Sequence, residues 1–130
     1  MVVSSIAAFA PTSNEFAVLY GPVKTFMNRF VEAINSAYNK DKIYATSVCP
    51  GFTSTEFHEM SGTQDRMDKV PSFMKMSSDA VAKEGILGMD RKKEIVITGA
   101  LNRFLINLLR FFPRPLIKII GNALAGGRYK

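Results

Sequence analysis

A chain of 130 residues that is 47% apolar and 22% charged has the size for one small domain and too much hydrophobic content to stay disordered. Its single cysteine, Cys49, excludes an internal disulfide and suits a reducing compartment. The net charge of +6 sits at one end: residues 1–100 balance eleven basic against eleven acidic residues, whereas 101–130 carry Arg103, Arg110, Arg114, Lys118, Arg128 and Lys130 and no Asp or Glu.

The opening Met1-Val2-Val3-Ser4-Ser5 lacks the basic n-region and long apolar run of a secretory signal. No run reaches the roughly 18 uninterrupted apolar residues of a spanning helix. A cytoplasmic protein is therefore expected, with peripheral membrane contact as a refinement. Val2-Val3 reads as the end of a strand, followed by a loop to Asn14 broken by Pro11, Thr12 and Ser13. The clearest helix comes next. Val23, Phe26, Met27, Phe30, Val31, Ile34 and Tyr38 recur at helical spacing, which predicts one buried face. Pro22 is tolerated only in a first turn, so the helix starts close to Leu19, and Asn39-Lys40-Asp41 ends it.

Ile43 to Cys49 reads as a buried strand stopped by Pro50-Gly51. No period holds from Phe52 to Met76, so a long loop with a short helix is expected there, a common form of functional lid. Ser77-Ser78-Asp79 supplies a cap and an acidic first turn for a helix to about Met89. Its expected apolar face is Val81, Ile86, Leu87 and Met89. Glu94 to Thr98 is a third strand, closed by Gly99. Strands alternating with helices predict an α/β fold with a parallel sheet. The tail, 101–130, resumes helical spacing at Leu101, Phe104, Leu105, Leu108, Leu109 and Phe112. Pro113 and Pro115 break it before a second short helix over 116–124.

Two residues in the first helix carry chemistry. Tyr20 and Lys24 are four apart, hence on one face. A free phenol ionises near pH ~10, too high for easy proton exchange at neutrality, and a neighbouring cation favours its ionised form. Tyr-x-x-x-Lys on a helix is therefore an acid/base device, although a surface tyrosine beside a surface lysine would look the same. Ser4-Ser5 follows a strand end fifteen residues earlier, where a hydroxyl could donate to a substrate oxygen or simply turn the chain. Cys49-Pro50-Gly51-Phe52-Thr53-Ser54-Thr55 follows the second strand. A Pro-Gly exit there marks the carboxyl end of a parallel strand, the ligand-binding end of open α/β sheets.

Val3-Ser4-Ser5-Ile6-Ala7-Ala8-Phe9, Tyr20-Gly21-Pro22-Val23-Lys24 and Cys49-Pro50-Gly51-Phe52-Thr53-Ser54-Thr55, in that order, closely resemble the short-chain dehydrogenase/reductase family. The resemblance covers nearly the whole chain. It implies the C-terminal half of a Rossmann-like parallel sheet, about three strands with flanking helices over 1–100, plus a basic, amphipathic helical tail over 101–130. It also implies hydride transfer between NAD or NADP and a carbonyl or alcohol substrate, one option being a lipophilic substrate. Ser5 corresponds to the residue that orients the substrate oxygen, Tyr20 to the acid/base, and Lys24 to the tyrosine's cation and ribose ligand. Pro50, Gly51, Thr53 and Thr55, together with Tyr20 and Lys24, correspond to cofactor-binding positions. The family's glycine-rich phosphate loop, its NAD/NADP discriminator, its Asn-Asn-Ala-Gly segment and its catalytic asparagine have no counterpart here, so a fragment lacking the dinucleotide-binding half is expected. Gly21-Pro22-Val23 also departs from the small polar residues usual before the lysine.

No metal site is expected. His58, the sole histidine, has no ligand-spaced partners, and Cys49 suits a small buried hydrophobe better than a reactive thiol. The tail's charges alternate with aliphatic residues rather than stacking aromatics, which disfavours nucleic acid and suits a membrane surface or a protein partner. A homo-oligomer is expected of the full-length enzyme. The alternative function is a non-catalytic remnant acting as an interaction module that folds against a partner.

Overall fold

The chain's strands pair in parallel. In the computed structural model, which describes residues 1–10, 18–54, 70–109 and 111–113, β1 (Val2–Val3), β2 (Ser47–Cys49) and β5 (Ile95–Ile97) form one three-stranded sheet in the order β1-β2-β5. Val2 pairs with Ser47, and Val48 with both Val3 and Val96. β1 leads through α1 (Tyr20–Tyr38) to β2, and α2 (Ser78–Asp90) precedes β5. The expected α/β architecture is present.

β2 is buried on both faces, as a central strand between helix layers must be. On one side Ser47 and Cys49 meet Asn28 of α1. On the other, Val48 and Val96 lie beneath Gly85 and Gly88 of α2, close enough that a Cβ on either glycine would press on a valine methyl. Two glycines one turn apart thus let α2 sit directly on the valine row.

Several sequence expectations change. The residues of α1 that turn inward are Lys24, Asn28, Val31 and Asn35, spaced four, three and four apart, and Asn28 and Val31 are buried. The apolar stripe lies about a quarter turn away, with Val23, Phe26 and Phe30 exposed and the two phenylalanine rings stacked. In α2 the buried residues are Gly85 and Gly88, not the expected Ile86, Leu87 and Met89, which are exposed. The strand expected over Ile43–Cys49 is present only from Ser47. The Asn35 amide holds Ala45, its Oδ1 accepting from the Ala45 N–H at 2.7 Å and its Nδ2 donating to the Ala45 carbonyl at 3.0 Å, so a side chain takes the place of a neighbouring strand.

Both ends of the 52–76 segment form strands where a loop was expected. β3 (Phe52–Ser54) pairs in parallel with β4 (Lys75–Ser77), and a 3-10 turn over Ser72–Met74 precedes β4. Ser77 caps α2 as expected, accepting from the Ala80 N–H at 3.2 Å. α2 ends in a Schellman arrangement, with Lys93 N–H on Gly88 O, Lys92 N–H on Met89 O, and Lys92 left-handed. The last described helix is α3 (Ala100–Leu109), which buries Asn102 and Ile106. The helix expected over 116–124 lies outside the described residues. No described helix is long and apolar enough to cross a membrane.

Candidate active site

After β1 the chain keeps running beside β2. Ser4 N–H donates to Val48 O at 2.7 Å, and Ile6 N–H to Pro50 O at 2.9 Å. This delivers Ser5 to the carboxyl end of the parallel strands. Ser5 has extended backbone and caps a 3-10 turn over Ile6–Ala8, its Oγ accepting from the Ala7 N–H at 3.1 Å. A hydroxyl that accepts can still donate its own proton elsewhere.

Tyr20 is the first residue of α1 and about half exposed. The helix begins at Leu19–Tyr20, as Pro22 demands, because a first turn has no intrahelical use for the missing N–H. One turn on, the Lys24 ammonium stands 5.5 Å from the centre of the Tyr20 ring and donates to Val3 O at 3.0 Å. Ser4, buried, donates from Oγ to Lys24 O at 2.9 Å. Thr25 Oγ1 lies 3.0 Å from Ala8 O and 2.9 Å from Gly21 O, between the turn and the helix. The Ser5 turn and the Tyr20–Lys24 turn are therefore pinned together at Val3, Ser4 and Ala8.

Beneath them is a buried polar cluster that the sequence expectations did not include. Asn28 Oδ1 accepts from Ser47 Oγ at 2.7 Å and from Cys49 Sγ at 3.5 Å. Burial raises the Cys49 thiol above its ordinary value, and its hydrogen bonding with Ser47, Ser4 and Asn28 only partly offsets this. Cys49 thus stays a protonated, inert thiol at neutral pH. The available signal was three polar residues at sheet-facing spacing in α1: Lys24, Asn28 and Asn35.

The Pro50-Gly51 segment adjoins this site through the Ile6–Pro50 bond. The space a Gly51 side chain would fill is taken by Asn102, whose Nδ2 donates to Thr98 O at 2.8 Å. Gly99, left-handed at φ 83°, packs near the same asparagine, so Asn102 gathers the exits of β2 and β5. Thr53 donates from Oγ1 to Gly51 O at 3.2 Å. Thr98 Oγ1 is buried and has no hydrogen-bond partner among the described residues. Thr55 and His58 lie outside the described residues. Among those described, no three His, Cys, Asp or Glu side chains gather where they could hold a metal ion.

No family model matches the chain, and no curated protein matches it in sequence. Solved structures do match in fold. A short-chain dehydrogenase from Sphingobium yanoikuyae, in complex with NADPH, superposes with a TM-score of 0.63 at 24% identity, over 86% of this chain and 45% of its own. The chain is similar in fold to short-chain dehydrogenases. A bulky-bulky ketone specific alcohol dehydrogenase from Comamonas testosteroni gives a TM-score of 0.54 at 22% identity, over 87% of this chain and 43% of its own. The chain thus spans under half the length of either dehydrogenase.

The donors at the site have the chemistry that the nicotinamide end of a dinucleotide needs. An ammonium has three N–H groups, of which Val3 O takes one and Met27 Sδ, at 3.9 Å, a second, and the Ser5 hydroxyl lies at the same strand ends with the Tyr20 ring beside the ammonium. Among the described residues, no strand-to-helix turn has more than one glycine to cradle a diphosphate.

Proposed function

We propose that this chain carries the catalytic half of an NAD(P)-dependent oxidoreductase of the short-chain dehydrogenase type, acting on a small carbonyl or alcohol. The observation that carries the proposal is the Lys24 ammonium beside the Tyr20 ring at the head of α1, with the Ser5 turn tied to that helix. The fold similarity to an NADPH-bound dehydrogenase supports it.

When bound, a nicotinamide dinucleotide supplies a hydride to the substrate carbon or takes one from it. In the reducing direction Ser5 donates a hydrogen bond to the carbonyl oxygen and holds it toward Tyr20. As the C=O electron pair moves to oxygen, Tyr20 gives up its phenolic proton to that oxygen. Lys24 would offer its remaining N–H group to the ribose and keep a positive charge beside the phenol. Pro50, Gly51 and Thr53 would line the nicotinamide and diphosphate, with Thr55, outside the described residues, assigned to the same role. Oxidation runs the same steps backward. The diphosphate and adenosine need a further nucleotide-binding half, supplied upstream or by a second chain.

A second reading, that of a non-catalytic module folded against a partner, draws on the exposed Phe26 and Phe30 of α1. Assay decides between them. The protein purified from its source is expected to oxidise NADH or NADPH in the presence of some member of an aldehyde and ketone panel. Failure to bind either dinucleotide, or to reduce any member, would remove the enzyme reading and leave the module.

A further inference from the structure

We propose that Ser4 and Thr25 are positioning residues that together set the place of the Ser5 hydroxyl against the Tyr20–Lys24 pair. The proposal rests on the dehydrogenase reading above and adds to it two residues that act through Ser5. Ser5 caps a single 3-10 turn over Ile6–Ala8, and the Ala7 N–H occupies one lone pair of its Oγ at 3.1 Å. The hydroxyl is therefore oriented by the turn and moves with it. Hydrogen bonds in so short a 3-10 segment have poor geometry, so the turn takes its position from what grips its two ends.

Consecutive residues of α1 supply that grip. Before the turn, buried Ser4 donates from Oγ to Lys24 O at 2.9 Å, while the Lys24 ammonium donates back to Val3 O at 3.0 Å. After the turn, Thr25 Oγ1 donates to Ala8 O at 3.0 Å. Neither side-chain bond is needed to complete the helix, because an interior helical carbonyl already accepts from the N–H four residues on. Thr25 Oγ1 also stands 2.9 Å from Gly21 O, the back-bond usual for a helical threonine. Its second acceptor, outside the helix, is what reaches the turn. The bond from Ile6 N–H to Pro50 O ties the turn to the sheet, whereas Ser4 and Thr25 tie it to the helix that carries Tyr20. Thr25 is exposed, so replacing its hydroxyl leaves the core untouched.

The test measures NAD(P)H-dependent turnover in the protein as its source makes it. Thr25→Val, which removes the hydroxyl, should lower kcat about tenfold and change KM by less than about threefold. Thr25→Ser, which keeps the hydroxyl, should stay near the parent. Ser4→Ala should repeat the Thr25→Val pattern. Ser5→Ala alone should be about 10²-fold slower. Adding Thr25→Val or Ser4→Ala to it should cost nothing more, because the turn then has no hydroxyl left to misplace. A further loss of the same size in that background would mean that the pair supports the fold and not Ser5, and overturns the proposal. Parental kcat in either Thr25→Val or Ser4→Ala, with Ser5→Ala slow, overturns it too and leaves the dehydrogenase reading standing. Undiminished turnover in Ser5→Ala, or none in the parent, removes that reading and this proposal with it.

Discussion

Asn28 shows how single residues shape this site. Its side chain is buried, accepts from Ser47 and Cys49, and lies four residues beyond Lys24 on the helix side that faces the sheet. Replacing it with leucine would leave the buried Ser47 hydroxyl unpaired, at a cost of about 1–3 kcal/mol. Urea unfolding of Asn28→Leu should register that loss, and a midpoint equal to the parent's would deny Asn28 this role. Cys49 belongs to the same cluster. With its thiol raised by burial, the folded chain resists alkylation at neutral pH, and Cys49 should be labelled at the rate of unfolding. The sign follows from the shift: the folded state holds the thiol proton more tightly, so stability falls as pH climbs past the ordinary thiol value toward the raised one. Tyr20 and Lys24 were legible in the sequence because four-residue spacing on a helix fixes their proximity. Asn28 was not, because its partners Ser47 and Cys49 come from a strand about twenty residues on.

At the scale of elements, helix positions were read well and helix orientations poorly. Pro22 marked the start of α1, and Ser77 and Gly99 marked the start of α2 and the end of β5. Hydrophobic periodicity then placed only part of the buried faces. It assumes that the buried stripe is the apolar one, whereas here the sheet-facing stripes are made of Lys24, Asn28, Val31 and Asn35 in α1, of which only Val31 belonged to the expected face, and of Gly85 and Gly88 in α2. Polar residues can face inward because each finds a partner, and glycines because the valine row fills the space. Gly88→Ala measures this directly. In an open helix the change gains about 1 kcal/mol from propensity. At Gly88 the new Cβ would collide with Val96, and overpacking of about 1–3 kcal/mol should outweigh that gain. Gly85→Ala, whose Cβ would stand 3.0 Å from a Val48 methyl, should cost less. If Gly88→Ala is the more stable of the two, the close packing of α2 is misjudged. The parallel pairing of β3 with β4 was invisible in the sequence because each strand is three residues long, too short to show a period.

For the whole molecule, the outward apolar stripes and the partial coverage of the dehydrogenases point the same way. α1 buries Asn28 and Val31, α2 Gly85 and Gly88, and α3 Asn102 and Ile106, while all three expose several large apolar side chains, and the chain matches 43–45% of the structures it resembles. The α/β class and the parallel sheet were readable from the alternation of elements. The amount of uncovered apolar surface was not, since it depends on which way each helix is turned. What unites the account is a proton-transfer site at the head of α1. The measurement that tests it most directly compares the NAD(P)H-dependent turnover of the protein from its source with that of Tyr20→Phe, alongside circular dichroism of both. The account predicts a loss of about 10²–10⁴-fold in kcat with the fold unchanged. Undiminished turnover in a folded Tyr20→Phe protein would contradict it.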